Sequence, residues 1–176
     1  DNWNVCLSVD KEAQVVGVLP YYSKPQFGLK RITMPPFTDY IGPWVKTPDE
    51  PNLKRVSSYN ITTVILSDLV KQLPRVSLFY QTYFQTMDNS LPFQWSGYTI
   101  TPYYTYVLES DIIPDQVFEA FKYTVRTEIR KAEKSVRIIK EGSIEDFYSV
   151  NSSSFKRKKM DNPYDFALLK KLDDSL

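Results

Sequence analysis

Six of the chain's twelve prolines, Pro25, Pro35, Pro36, Pro43, Pro48 and Pro51, crowd into positions 24–51. Each removes a backbone donor and fixes φ near about −65°, so this stretch can be neither a helix interior nor a central strand and must run extended or looped. It divides the first half of the chain into a piece before it and a piece after it. Before it, residues 3–9 alternate apolar and polar with the period of a half-buried strand, and residues 14–22 follow the turn-like Asp10-Lys11-Glu12, which predicts a hairpin. After it, Ile61, Val64, Ile65 and Leu69 recur at helical spacing until Pro74, which predicts a helix over 58–73. Residues 76–84 read as a buried strand, 88–97 as a turn-rich connection, and 98–109 as a further strand with Tyr104, Tyr106 and Leu108 on one face.

A second pattern starts at Pro114, which opens a short helix with Val117, Phe118 and Phe121 inward, followed by a charged helix over 123–135. Residues 136–140 read as a short strand and Gly142 as a turn. Ser143-Ile144-Glu145-Asp146 has the form of an N-cap box for a helix running towards Phe155. Asn162-Pro163 is read as the cap of a last helix with Phe166, Leu169 and Leu172 on its inner face. The elements predict an α+β domain over residues 1–135 and the opening of a second unit over 136–176. The Pro-Tyr-Tyr at 20–22 and again at 102–104 is too short to define a repeat.

At 176 residues, 42% hydrophobic and 15% aromatic, the chain can bury a core, and no apolar run approaches the roughly 20 residues that cross a bilayer. It opens at Asp1 on strand-like alternation rather than a basic and then apolar leader, so the expectation is a cytoplasmic protein whose native start precedes Asp1. There is no histidine, which excludes Ser-His-Asp and Cys-His catalysis and His-ligated metal sites within the chain, and no metal is expected. The closest two of the five glycines stand eleven apart, too far for a phosphate-cradling loop. Cys6 is the single cysteine, expected as a buried or edge thiol.

Charge is nearly balanced overall and unevenly placed. Between positions 122 and 159 eleven Lys/Arg face five Asp/Glu, whereas the rest of the chain has eleven against sixteen. On a helix, Lys122, Arg126, Arg130 and Lys134 fall at successive i,i+4 positions and form a cationic stripe, opposite Val125, Ile129, Ala132 and Val136. Like charges at this spacing repel by a few tenths of a kcal/mol. Glu119 and Glu133 can relieve the ends of the row, but Arg126 has no acid three or four residues away, so an anion from elsewhere is expected.

The helix text Arg126-x-x-x-Arg130-Lys131-Ala132-Glu133-Lys134, followed by a short strand and a helix opening with Phe147-Tyr148, resembles the mid-region of FemAB-like proteins, which are built from two GNAT-like halves. The early Leu19-Pro20-Tyr21-Tyr22, the loop Pro35-Pro36-Phe37-Thr38-Asp39-Tyr40-Ile41-Gly42-Pro43, and Pro92-Phe93-Gln94-Trp95-Ser96-Gly97-Tyr98 resemble further pieces of that family in matching order. The resemblance implies a GNAT-like fold, with a mixed, mostly antiparallel sheet flanked by helices, and an acyl- or aminoacyl-transferring parent of bacterial type. It implies that the first half holds an anionic acceptor such as a nucleotide-linked peptidoglycan precursor. The family's donor is acyl-CoA or aminoacyl-tRNA, so tRNA is a possible partner of the complete protein. The Gln/Arg-x-x-Gly-x-Gly/Ala donor turn of GNAT enzymes is missing, so no cofactor is expected in this chain and a second GNAT-like half is expected to supply the donor site.

Arg126, Arg130 and Lys134 are the candidate contacts to acceptor phosphate or carboxylate, with Asp39 and Tyr40 as a second pair on the proline-braced loop. No residue is assigned a catalytic role; Asp39 as a general base has no support in sequence. The run Lys156-Arg157-Lys158-Lys159 reads as a solvated helix end. Two further readings stay open: a GNAT-like scaffold retained for protein contacts without catalysis, and a nucleic-acid-binding module using the basic segment 122–159 with Tyr123, Tyr148 and Phe155.

Overall fold

A computed structural model describes residues 2–46, 55–107, 111, 113–139 and 142–176. The protein is mixed α+β with a mostly antiparallel sheet flanked by helices. It divides into two compact units, Asp1–Tyr103 and Tyr104–Leu176, so the boundary read from sequence at 135/136 falls inside the second.

The first unit opens with the expected hairpin. Strand β1 (Trp3–Val9) pairs antiparallel with β2 (Val15–Ser23), with a bulge between Ser8 and Val9. The turn is closed by the Asp10 carboxylate, whose Oδ1 accepts from the backbone N–H groups of Glu12 and Gln14, each at 2.9 Å. Two short strands emerge from the proline-rich segment, β3 (Arg31–Thr33) and β4 (Trp44–Val45), and both pair antiparallel with β2. Helix α1 (Arg55–Lys71) follows, then β5 (Leu78–Phe79), which adds parallel to β3.

The core lies between α1 and the inner face of the hairpin. Cys6 and Leu19 from the strands meet Ile65, Leu66, Leu69 and Val70 from α1, and Phe93 closes one end. The hydrophobic effect makes each such buried side chain worth about 1.5–3 kcal/mol. The inward set on β1 is Cys6 and Ser8, while Trp3, Val5, Leu7 and Val9 face outward, each about half exposed. The reason is steric. Register places Ser8 opposite Gly17, and a Cβ added at Gly17 would lie 2.4 Å from Ile65 Cγ2, so α1 can only seat over the small-residue face.

The helix also presents a different stripe from the one its spacing suggests. Ile65, Leu66, Leu69 and Val70 are buried, whereas Val64 is 69% exposed. Thr62 and Thr63 both donate to backbone oxygens one turn back, and Thr63 also accepts from the buried Asn89 side chain, which turns Val64 away from the sheet.

Three strand expectations are corrected. Of 76–84 only Leu78–Phe79 joins the ladder, although Tyr80 N–H still reaches Ile32 O at 2.9 Å. Residues 98–107 pair with no strand among the described residues, Tyr104 and Tyr106 are fully exposed, and Leu108 and Glu109 lie outside the described residues. Residues 136–139 likewise stand without a ladder partner among the described residues, and an isolated strand has nothing to satisfy its backbone; Lys140 lies outside the described residues. The connection read over 88–97 holds a short helix, α2 (Leu91–Trp95), whose Pro92 and Phe93 are buried. The Asn89 side chain explains it, accepting from Leu91 N–H while donating to Thr63.

The second unit is helical. Helix α3 (Pro114–Ala120) starts on its proline as expected and breaks at Phe121 and Lys122, both extended, before α4 (Tyr123–Ala132). Helix α5 (Ile144–Arg157) is capped by Ser143, whose Oγ accepts from Asp146 N–H at 3.0 Å. The cap of α6 (Phe166–Asp173) is Asp165 rather than Asn162-Pro163, because its carboxylate accepts from both Ala167 and Leu168 N–H. Asn162 instead braces the connection by donating to Ser152 Oγ at 2.8 Å. The Tyr148–Phe166 ring pair, 4.9 Å between centroids, packs α6 on α5.

Candidate functional site

Beyond the carboxyl ends of β3 and β5 the first unit forms a cavity of about 240 Å³. Tyr40, Ile41, Gly42 and Pro43 make one wall, and Tyr83, Phe84, Thr86 and Met87 the other. The walls are joined by a backbone bond from Ile41 N–H to Thr82 O at 2.9 Å and by the Tyr40 ring standing edge-on to Phe84, 5.4 Å between centroids. Gly42 lets the walls approach closely, because a Cβ there would lie 3.2 Å from the Tyr83 ring, which would have to shift by a few tenths of an ångström.

Tyr83 organises the pocket. Its ring packs 5.3 Å from that of Phe93, and its hydroxyl donates to Gln81 Oε1 at 3.0 Å. Gln81 in turn donates to Pro20 O at 3.1 Å, which ties this wall to β2. Burial, and secondarily the nearby Tyr98 hydroxyl, push the Tyr83 phenol far above the ordinary tyrosine range. At neutral pH it is therefore a neutral hydrogen-bonding group and cannot serve as a base. Sequence reasoning missed it because it lies in a stretch that reads as core strand; the pairing of Gly42 with Pro43 in a loop is the signal that something packs close there.

Of the two loop candidates, Tyr40 lines the cavity and Asp39 does not. Asp39 is exposed, beside Thr38, whose hydroxyl donates to Pro36 O at 3.2 Å. The chemistry available in the cavity is recognition, by aromatic faces, a hydroxyl at Thr86 and the Met87 thioether.

The basic helix of the second unit differs from the uninterrupted stripe expected. Only Arg126 and Arg130 lie within α4; Lys122 is its N-cap and Lys134 follows the C-cap, Glu133. Arg126 has the partner that i,i+4 reasoning denied it. Glu119, seven residues back across the break between α3 and α4, receives its guanidinium through both its backbone oxygen at 2.9 Å and its carboxylate at 2.8 Å. The spacing argument looked only three and four residues away, and the break at Phe121 brings Glu119 within reach from seven. The Arg130 guanidinium lies over the Phe118 ring, 5.3 Å from its centroid. Among the described residues no carboxylate pairs with Lys122, Arg130 or Lys134, while Lys131 pairs with Glu128 at 2.7 Å. Lys156, Arg157, Lys158 and Lys159 are exposed at the end of α5.

Among the described residues no group of three or more His, Cys, Asp or Glu side chains could hold a metal ion, and no helix is long and apolar enough to cross a membrane. No family model, curated protein or solved structure matches this chain.

Proposed function

We propose that this chain is the acceptor-recognising half of an acyl- or aminoacyl-transferring protein of FemAB/GNAT type, acting in the cytoplasm. The observation that carries the reading is the cavity: the proline-braced loop that resembles the family supplies Tyr40–Pro43 as a wall, opposite the half-buried Tyr83 phenol, whose hydroxyl donates to Gln81. The acceptor is an anionic precursor such as a nucleotide-linked peptidoglycan peptide. Its apolar and peptide groups occupy the cavity of the first unit; in the second unit Arg130 and Lys134, two of the cations without a carboxylate partner among the described residues, are a separate candidate contact for a phosphate or carboxylate. Arg126 orders the turn between α3 and α4 through Glu119 and contributes charge rather than a free guanidinium. A second GNAT-like half binds acyl-CoA or aminoacyl-tRNA and completes the transfer.

The test is calorimetric titration of the chain with a UDP-linked muramyl peptide. Tyr40→Ala is expected to weaken binding about tenfold, and Arg130→Ala with Lys134→Ala by a similar factor, in keeping with loss of one well-packed ring or one charge-assisted contact. Absence of binding by the intact chain, or unchanged binding by both variants, overturns the reading. Tight, steeply salt-dependent binding of an oligonucleotide through the basic segment 122–159 would instead favour the nucleic-acid reading, with Tyr123 as its exposed ring, since Tyr148 packs against Phe166 and Phe155 against Tyr164.

A further inference from the structure

The tip of the β2–β3 hairpin is built in an expensive way. Gln26 and Leu29 exchange two backbone hydrogen bonds of 3.0 Å, leaving Phe27-Gly28 as a two-residue turn. Both residues have positive φ, 52° and 76°, as a type I′ turn demands. Asn-Gly is the sequence that satisfies such a turn without strain; a bulky aromatic in the left-handed region is an outlier. Phe27 recovers nothing from packing, since it is 93% exposed. Nothing inside the chain offsets this strain, so the outlier directs attention to a contact outside it.

Its surroundings are cationic. Behind the tip lies an open groove of about 350 Å³ lined by Lys30, Arg75 and Ser77 together with Gly28, Leu29 and Val76. The bond from Ser77 N–H to Lys30 O at 2.9 Å holds the two sides of the groove together. Lys24 stands at the base of the hairpin, where its backbone N–H donates to Arg31 O. No Asp or Glu occurs in residues 13–38 or 69–87, and no carboxylate among the described residues pairs with Lys24, Lys30 or Arg75. The Arg31 guanidinium is held within the hairpin by Gln26.

We propose that this hairpin docks the protein on an anionic phospholipid surface: Phe27 and the half-exposed Leu29 enter the interface, and Lys30 and Arg75 take lipid phosphates in the groove behind. The arrangement places an apolar tip ahead of a collar of basic side chains whose stems can reach back to the headgroups. A single-stranded nucleic acid is the weaker fit, because such chains are tracked by successive aromatic platforms, and this tip offers one ring beside an aliphatic side chain.

The test is co-sedimentation of the 176-residue chain with vesicles of equimolar phosphatidylglycerol and phosphatidylcholine, compared with phosphatidylcholine alone. Binding is expected only to the anionic vesicles and should fall as salt rises. Lys30→Gln with Arg75→Gln should weaken it about thirtyfold, roughly fivefold per charge. Phe27→Asn should weaken it about tenfold or more, while its thermal midpoint stays level or rises because Asn-Gly relieves the turn. That pairing of intact folding with lost binding separates docking from structure. No binding to anionic vesicles, equal binding to neutral ones, wild-type binding by either variant, or displacement from vesicles by a single-stranded oligonucleotide that binds more tightly would each overturn the proposal.

Discussion

Replacing Gly17 by alanine places a methyl group 2.4 Å from Ile65 Cγ2, 3.1 Å from Leu69 Cδ1 and 3.3 Å from Ser8 Cβ. Carbon atoms rest at about 3.5–4.0 Å, so the first contact must open by more than about 1 Å. Ile65 cannot turn aside cheaply, because a β-branched side chain in a helix has one strongly preferred χ1 and this one is buried. Nor is α1 free to slide. Gln72, just past its end, accepts from Leu7 N–H at 3.3 Å and donates to Leu7 O at 2.9 Å, and Thr63 is held by Asn89. Overpacking at such a site costs about 2–3 kcal/mol, from which about 0.5–1 kcal/mol is recovered because alanine restricts the unfolded chain. Gly17→Ala should therefore destabilise the first unit by about 1–2.5 kcal/mol. Urea unfolding followed by labelling of Cys6, which sits in the same core, reads that unit directly. The decisive comparison uses Ile65→Ala, which alone costs about 2–5 kcal/mol. In that background the methyl at position 17 fills vacated space, so Gly17→Ala becomes neutral or stabilising. An equal cost in both backgrounds would refute the steric account.

Asn89→Ala should cost about 1–3 kcal/mol, because it leaves the Thr63 hydroxyl and the Leu91 N–H without their buried partner; an urea midpoint within error of the parent would contradict it. Burial, and secondarily the Asp68 carboxylate, push the Cys6 thiol above its ordinary range. The folded chain should thus resist iodoacetamide at mildly alkaline pH and react at the rate of a free thiol only when unfolded. Across α5 and α6, Lys170 lowers the Glu145 carboxyl pKa chiefly through a 2.9 Å hydrogen bond, and Glu145 raises that of Lys170 in the same way. The carboxylate's contribution is present above the ordinary glutamate range and is lost as pH falls through its depressed value. The ammonium's contribution is complete below the ordinary lysine range and is lost as pH rises through its raised value. A carbon-13 titration should find Glu145 below the usual glutamate midpoint, returning to it in high salt or in Lys170→Met; an ordinary midpoint at low salt would show the bridge is not formed in solution.

The hairpin, α1, α3 and the Ser143 cap were legible in the sequence because each is decided by neighbours in the chain: a turn carboxylate, a stop at Pro74, a start at Pro114, and a hydroxyl three residues before an N–H. What the sequence withheld depends on groups far apart in it. Alternation along residues 3–9 identifies a strand, but it cannot show that the apolar face is the outer one, which follows from Gly17 and Ser8 meeting α1. The residues 98–107 and 136–139 carry strand-like composition without a neighbour to bond, and composition alone does not supply one. Tyr40 was recognisable as a candidate from its loop, whereas Tyr83, Thr86 and Met87 are brought to the same cavity only by the path beyond β5. The free cation expected at Arg126 failed for a related reason: the i,i+4 rule holds along one helix, and the partner, Glu119, belongs to the helix before.

The parallel pairing of β3 and β5 is the detail that gives the first unit two distinct surfaces. Arg31 is opposite Leu78 and Ile32 opposite Phe79, so both strands point the same way. The segments entering them, with Lys30 on one and Arg75 and Ser77 on the other, border the cationic groove and the Phe27 tip. The segments leaving them build the cavity, Tyr40–Pro43 after β3 and Tyr83–Met87 after β5. An antiparallel pairing would have mixed entering and leaving segments at each end and divided the cations between them. The β1 edge, meanwhile, is plugged at Leu7 by the Gln72 amide, which satisfies both of its outward backbone groups in the manner of a neighbouring strand. The cationic groove and the cavity thus lie at opposite ends of the β3–β5 pair, so that a docking tip at one end would leave the cavity at the other open.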